Sequence, residues 1–147
     1  MPYENIVVAL AGEPDEHSVI HEAVRLASTI DARMTVLHIN SPAAGKPSMM
    51  METEKLVTES DIQKIFVDLG YFDEASRLSV DVRESASLAK EIASATEQAD
   101  LLVIGHRQKN RFLAALADAA DKHLCDMVSC PVLIVPRVPV EGAGSAE

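Results

Sequence analysis

The 147-residue sequence predicts an α/β fold, an open five-stranded parallel sheet with helices on both faces, and three stretches carry that prediction. Leu101 to Ile104 and Val132 to Val135 are continuous apolar runs, as strands buried on both faces of a parallel sheet should be. Between them an amphipathic run from Arg111 to about Met127 has the length of a crossover helix, so the segment reads as a βαβ unit. Ile6 to Leu10 is a third unbroken apolar run and reads as another central strand.

The remaining elements follow in order. After Ile6 to Leu10, Ala11 and Gly12 turn the chain into Glu13-Pro14-Asp15-Glu16, where the proline and the acids suit a helix start. From His17 to Ile30 the residues Ile20, Ala23, Val24, Ala27 and Ile30 recur at helical spacing. Met34 to Ile39 is the second strand. Asn40 to Ser48, with two prolines and a glycine, reads as a surface loop. Thr53 to about Gly70 follows as a helix with Gly70 as its stop signal. Leu78 to Val82 alternates in the manner of a half-exposed edge strand, and Ser85 or Ser87 caps a helix to about Gln98. Residues 1–140 are expected to form one domain and 141–147, made of Gly, Ala, Ser and Glu, a flexible tail.

Composition narrows the function classes. A hydrophobic content of 48% is enough for a full core in one domain. A formal charge of -10 argues against nucleic acid or an anionic membrane as partner, because the summed field repels both. The sequence lacks an apolar run of about eighteen residues and the pattern of a signal peptide, so a cytoplasmic protein without a membrane span is expected.

In open α/β sheets ligands meet the carboxyl ends of the strands, where helix N-termini point at them. The turn after the fourth strand reads Gly105-His106-Arg107-Gln108-Lys109-Asn110-Arg111 and is the one concentration of positive charge on an acidic chain. Anion capture by Gly105, His106 and Arg107 is one reading of it; a solvated loop, its charges paired with nearby acids at up to about 1 kcal/mol each, is the other.

Ala-Asp-Leu-Leu-Val-Ile-Gly at residues 99–105, Cys-Pro-Val-Leu-Ile-Val-Pro at residues 130–136 and the opening Tyr3 to Leu10 together resemble the universal stress protein family. The resemblance implies a Rossmann-like, adenine nucleotide alpha hydrolase-like fold with strand order 3-2-1-4-5. That order sets Ala11 and Gly12 beside Gly105. ATP-binding members of the family carry G-x2-G-x9-G-[ST] after the fourth strand and an aspartate after the first. This chain keeps Gly105 but has Gln108, Asp118 and Ala119 at the other three motif positions, and Ala11 in place of the aspartate. An aspartate in the cradle repels a triphosphate, and a glutamine side chain obstructs the approach of bare amides. The resemblance therefore implies a branch that acts through protein contacts, with neither enzymatic activity nor a cofactor.

Other residue clusters are weaker. His17 and His21 are four apart on one helix, but Ser18 stands where an H-E-x-x-H metal motif needs glutamate, so no metal is expected. His38 lies within a strand and reads as a hydrogen-bonded core histidine, and His123 has no obvious partner. Cys125 and Cys130 form an isolated C-x4-C pair and read as small buried hydrophobes. Met49 to Met51 suit an adaptable contact surface for a protein partner or a loop packing on its own domain. Val132, Leu133, Ile134 and Val135 form a flat apolar strand at a sheet edge, which on a soluble protein needs a cover. The resemblance implies that its two-fold mate supplies the cover, giving a homodimer. The expected function is thus that of a homodimeric stress-response protein without usual ATP binding; the alternative is a nucleotide-binding switch using the basic loop.

Overall fold

The computed structural model describes residues 3–12, 16–46, 55–106 and 128–136 of the chain. The elements are β1 (Asn5–Ala9), α1 (His17–Ile30), β2 (Arg33–Asn40), α2 (Glu59–Asp68), α3 (Phe72–Arg77), β3 (Ser79–Glu84), α4 (Leu88–Ala95), β4 (Leu101–His106) and β5 (Val132–Pro136). The five strands form one parallel sheet in the order β3-β2-β1-β4-β5, as expected. The expected helix from Arg111 to Met127, the run Met49 to Met51 and the tail 141–147 lie outside the described residues.

Alternation along the strands divides the core. Ile6, Val8 and Leu10 of the first strand and its exit face one side with Val36, Val103 and the inner faces of α1 and α2. Val7 and Ala9 face the other side with Leu37, Leu102, Ile104 and Ile92 of α4. With helices on both faces, β1 and β4 lose contact with water on either side, and their unbroken apolar sequences follow from that.

Two departures from the sequence expectation, one boundary and one added helix, have clear local reasons. The helix expected from Thr53 begins at Glu59, because Thr58 is its N-cap: Asp61 N–H donates to the Thr58 hydroxyl, and Thr58 N–H donates to the Asp61 carboxylate. The two backbone and side-chain bonds from Thr58 hold the Asp61 carboxyl below its ordinary range. Gly70, at φ +90°, ends the helix as expected. Its N–H donates to Val67 O and that of Tyr71 to Phe66 O, a Schellman closure in which the Phe66 and Tyr71 rings meet at 6.5 Å. The second difference is α3, whose six residues are too few to show a helical period in sequence.

Polar groups fasten the margins of the sheet. Asp100 Oδ2 accepts from Glu4 N and Asn5 N at 2.8 and 2.9 Å, tying the start of β1 to the start of β4, and these bonds depress the Asp100 carboxyl. Arg83 on β3 donates to Asp81 from both Nε and Nη2 and from Nη1 to Glu91 Oε1 at 3.1 Å, so it bridges the edge strand to α4. Its guanidinium pKa is raised first by the hydrogen bond to Asp81 and further by Glu91.

Phe66 is fully buried and Thr58 begins the helix that carries it, so the two positions separate packing from capping. Phe66→Ala is expected to lower unfolding free energy by about 3–5 kcal/mol through the cavity it leaves, and Thr58→Ala by only about 1 kcal/mol. Guanidinium denaturation of the two variants checks the order.

Candidate functional site

The site is built where β1 and β2 end. Ile6, Val7 and Val8 of β1 stand level with Leu101, Leu102 and Val103 of β4, so the two strands finish at the same edge of the sheet. β1 connects onward to β2 on one side while β4 lies on the other, which makes this the switch point of the topology. The turn leaving β1 is Leu10-Ala11-Gly12.

That turn is already occupied by a carboxylate from its own chain. Glu16 Oε2 accepts from Ala11 N at 2.8 Å and Oε1 from Gly12 N at 2.9 Å, and the residue is 3% exposed. The sequence reading credited these acids only with starting the helix. Glu16 is indeed the N-cap residue of α1, and its carbonyl accepts from Val19 N and Ile20 N. Its side chain, however, reaches back to bind the two amides that a ligand's anionic group would otherwise meet.

Beneath the turn lies His38, which the sequence marked as a core histidine and which is buried. Nδ1 is 2.8 Å from the Leu10 carbonyl oxygen, and Nε2 is 3.1 Å from Asn40 Oδ1. Asn40 continues outward: Oδ1 accepts from Val57 N at 3.0 Å and Nδ2 donates to Val57 O at 2.9 Å. The polar side chains at the end of β2 thereby hold the segment that precedes α2 against the β1 turn. Asn40 and Glu16 were not singled out by sequence reasoning. An asparagine closing an apolar strand is the available signal for the first, and a third acid at the helix N-cap is the signal for the second.

Gly12 sits at φ +84°, and a Cβ there would lie 3.2 Å from Val57 Cγ2 and 3.6 Å from His38 Cε1. Both the backbone conformation and the close approach require glycine. Beside the turn, a groove of about 270 Å³ is lined by Gly12, Glu16, His17, Lys55, Ile65 and Asp68, among others.

The other expected site residues fall as follows. Gly105 is buried and still within β4, paired with Val135, so the strand continues past Ile104, where the sequence ended it. His106 closes β4 opposite Pro136, and Arg107 lies outside the described residues, as do Gln108, Asp118 and Ala119. Val132 and Ile134, on the terminal strand, are 37% and 44% exposed, whereas Val135 is buried against α1 and Leu133 is half-buried. Ser18 Oγ on α1 donates to Pro136 O at 3.1 Å, which fixes the end of this strand to the site's helix.

Among the described residues no group of three or more His, Cys, Asp and Glu is placed to hold a metal ion. His21 Nδ1 is hydrogen-bonded with the Tyr71 hydroxyl, whose pKa is raised by burial and then by Glu74. Cys130 is a free thiol pushed above its ordinary range, first by burial and further by the charge of Asp100, which keeps it protonated and a poor nucleophile. Cys125 and His123 lie outside the described residues.

The turn geometry makes Gly12→Ala a direct probe of the site. The substitution is expected to destabilise the fold by about 1–3 kcal/mol, read from the denaturant midpoint, because an alanine must adopt a left-handed backbone against Val57.

Comparison with known proteins agrees with this architecture. The family model described as "Universal stress protein family" matches residues 2–136. Universal stress protein D of Escherichia coli strain K12 is 26% identical over 141 residues, covering 90% of this chain and 99% of that protein. Its counterpart in Escherichia coli O157:H7 is 27% identical over 146 residues, covering 94% and 99%. Among solved structures, a universal stress protein in complex with cAMP superposes with a TM-score of 0.57 at 20% identity, covering 93% of this chain and 99% of that one. Universal stress protein UspA from Lactobacillus plantarum gives a TM-score of 0.54 at 15% identity, covering 92% and 99%. A match along nearly the whole chain, on a parallel sheet of order 3-2-1-4-5, places the chain in the universal stress protein family.

Proposed function

We propose that this member of the family acts in stress response as a cytoplasmic homodimer through protein contacts, without the usual binding of ATP and without catalysis. One observation carries the reading: the Glu16 carboxylate takes the Ala11 and Gly12 amides at the switch point. A phosphate arriving there meets a buried negative charge in place of two open donors. The substitutions Gln108, Asp118 and Ala119 in the glycine motif, with Ala11 after the first strand, act in the same direction.

The proposed self-association uses the β5 margin of the sheet, where the terminal strand among the described residues lies. β5 is the terminal strand, and Val132 and Ile134 expose apolar side chains there. An uncovered apolar edge invites pairing, and a two-fold mate covers both copies with one self-complementary contact. A further protein partner would then be met elsewhere on the surface.

A second reading is a nucleotide switch that binds through Gly105, His106 and Arg107. Its support is that a structure of the same fold, 20% identical, is a complex with cAMP.

Three measurements separate these readings. In calorimetric titration of nucleotide-stripped protein with ATP and Mg2+, and separately with AMP, no heat is expected at millimolar ligand; saturable binding that Arg107→Ala weakens about tenfold would establish the second reading instead. Sedimentation velocity at micromolar concentration should give a dimer. Ile134→Lys, at an exposed edge position, should yield a folded monomer, and a dimer that survives the substitution would rule out the β5 contact.

A further inference from the structure

We propose that His38 is a buried imidazolium whose second proton locks the Leu10–Gly12 turn, making the site edge of the sheet pH-sensitive. The starting point is the orientation of Asn40. Its amide faces both backbone groups of Val57, and only one orientation serves them: Oδ1 toward the N–H and Nδ2 toward the carbonyl. The reverse would set donor against donor and acceptor against acceptor. The oxygen is therefore the atom that faces His38 Nε2 at 3.1 Å. On the other side of the ring, the atom 2.8 Å from Nδ1 is the Leu10 carbonyl oxygen.

Both ring nitrogens thus point at oxygens that can only accept. A neutral imidazole carries one N–H and would aim a bare lone pair at one of them. The imidazolium carries two and satisfies both.

A buried cation needs a counter-charge, and the backbone supplies a path to one. The peptide joining Leu10 to Ala11 accepts from His38 at its carbonyl and donates to Glu16 Oε2 at its N–H. The carboxylate and the imidazolium therefore polarise one peptide group from opposite ends, so each strengthens the bond made by the other. Gly12 permits this spacing, since its position for a Cβ is 3.6 Å from His38 Cε1.

Among the described residues, the charged and titratable groups on the surrounding elements are few. Glu16 and His17 begin α1; Lys55, Glu59 and Asp61 flank Val57 and begin α2. Glu84 ends β3 in register with Asn40, while Asp81 and Arg83 register with Leu37 and Ile39 and belong to the opposite face. Glu16 is the one that shares a hydrogen-bonded peptide with His38.

The direction of the pH dependence follows. Folding that favours the doubly protonated ring raises its titration midpoint above that of the unfolded chain, about 6.5. The stabilisation is then complete below that value and disappears as pH rises through the folded midpoint. Above it, Glu16 loses the cation it faces through the peptide, and the Ala11 and Gly12 amides are held less firmly.

Long-range 1H–15N correlation spectra of the histidine rings in the full 147-residue protein, from pH 6 to 9, test the proposal. His38 is identified by its magnetisation transfer to Gly12. Both of its ring nitrogens are expected at the imidazolium position at pH 6.5, with a midpoint at least one unit above that in urea-unfolded protein. Hydrogen-exchange protection of the Ala11 and Gly12 amides, corrected for intrinsic rates, should fall across the same step. A single pyridine-type nitrogen at pH 7 would overturn the charged state. Unchanged protection across the His38 step would overturn the lock. In Glu16→Gln the His38 midpoint should drop by at least half a unit; a midpoint that stays put would overturn the coupling through the peptide. Should that variant fail to fold, the wild-type titration still decides the charge and the lock.

Discussion

The molecule's functional edge depends on one chain of hydrogen bonds that runs from Glu16 through the Leu10–Ala11 peptide to His38, Asn40 and the backbone of Val57. It joins the first turn of α1, the exits of two neighbouring strands and the approach to α2. Past the bond from Leu10 N–H to Leu37 O at 2.9 Å, these segments are joined by side chains. A parallel sheet leaves the amides and carbonyls beyond its strand ends without ladder partners, and buried groups of this kind are costly unless satisfied. Here the chain meets that demand with its own side chains.

The same economy explains why the carboxyl edge is shaped as it is. Glu16 lies at the N-terminus of α1, where the helix dipole favours a negative charge, so the residue serves the helix and the turn at once. Occupying the two amides internally also decides what the edge offers to solvent: a carboxylate-filled turn beside a shallow groove, with an apolar strand at the far margin of the sheet. A site formed in this way presents shape and apolar surface more readily than an open anion cradle.

Much of the architecture was legible because burial on both faces leaves an unmistakable trace. Ile6 to Leu10 and Leu101 to Ile104 have no polar residue to spare for water, and α1 matches its expected span residue for residue. What escaped the sequence was set by contacts distant along the chain or confined to one turn. Thr58 and Asp61 start α2 through a reciprocal cap that the preceding apolar Leu56 and Val57 disguise. For the site, Gly12 was placed in the switch-point turn, while His38 read only as a core histidine and Glu16 only as one of the acids that start the helix. Its role depends on folding back over a tight turn onto amides four and five residues earlier, and neither hydropathy nor charge spacing records that geometry. Asn40 was equally silent, since its Val57 partner lies seventeen residues away along the chain.

The Asp100 clasp on Glu4 and Asn5 bears on how the chain is made. β1 sits at the centre of the sheet, but the strand that covers its second edge begins only at Leu101. During synthesis β1, β2 and β3 can assemble while one flank of β1 still shows bare amides and carbonyls to the cell. At about 5–20 residues per second, that flank waits roughly 5–20 s after β1 emerges before β4 follows. A central strand of the finished protein thus waits for its second neighbour in the nascent chain. Asp100 directly precedes β4, so its clasp on the Glu4 and Asn5 amides forms together with the pairing that ends this exposure.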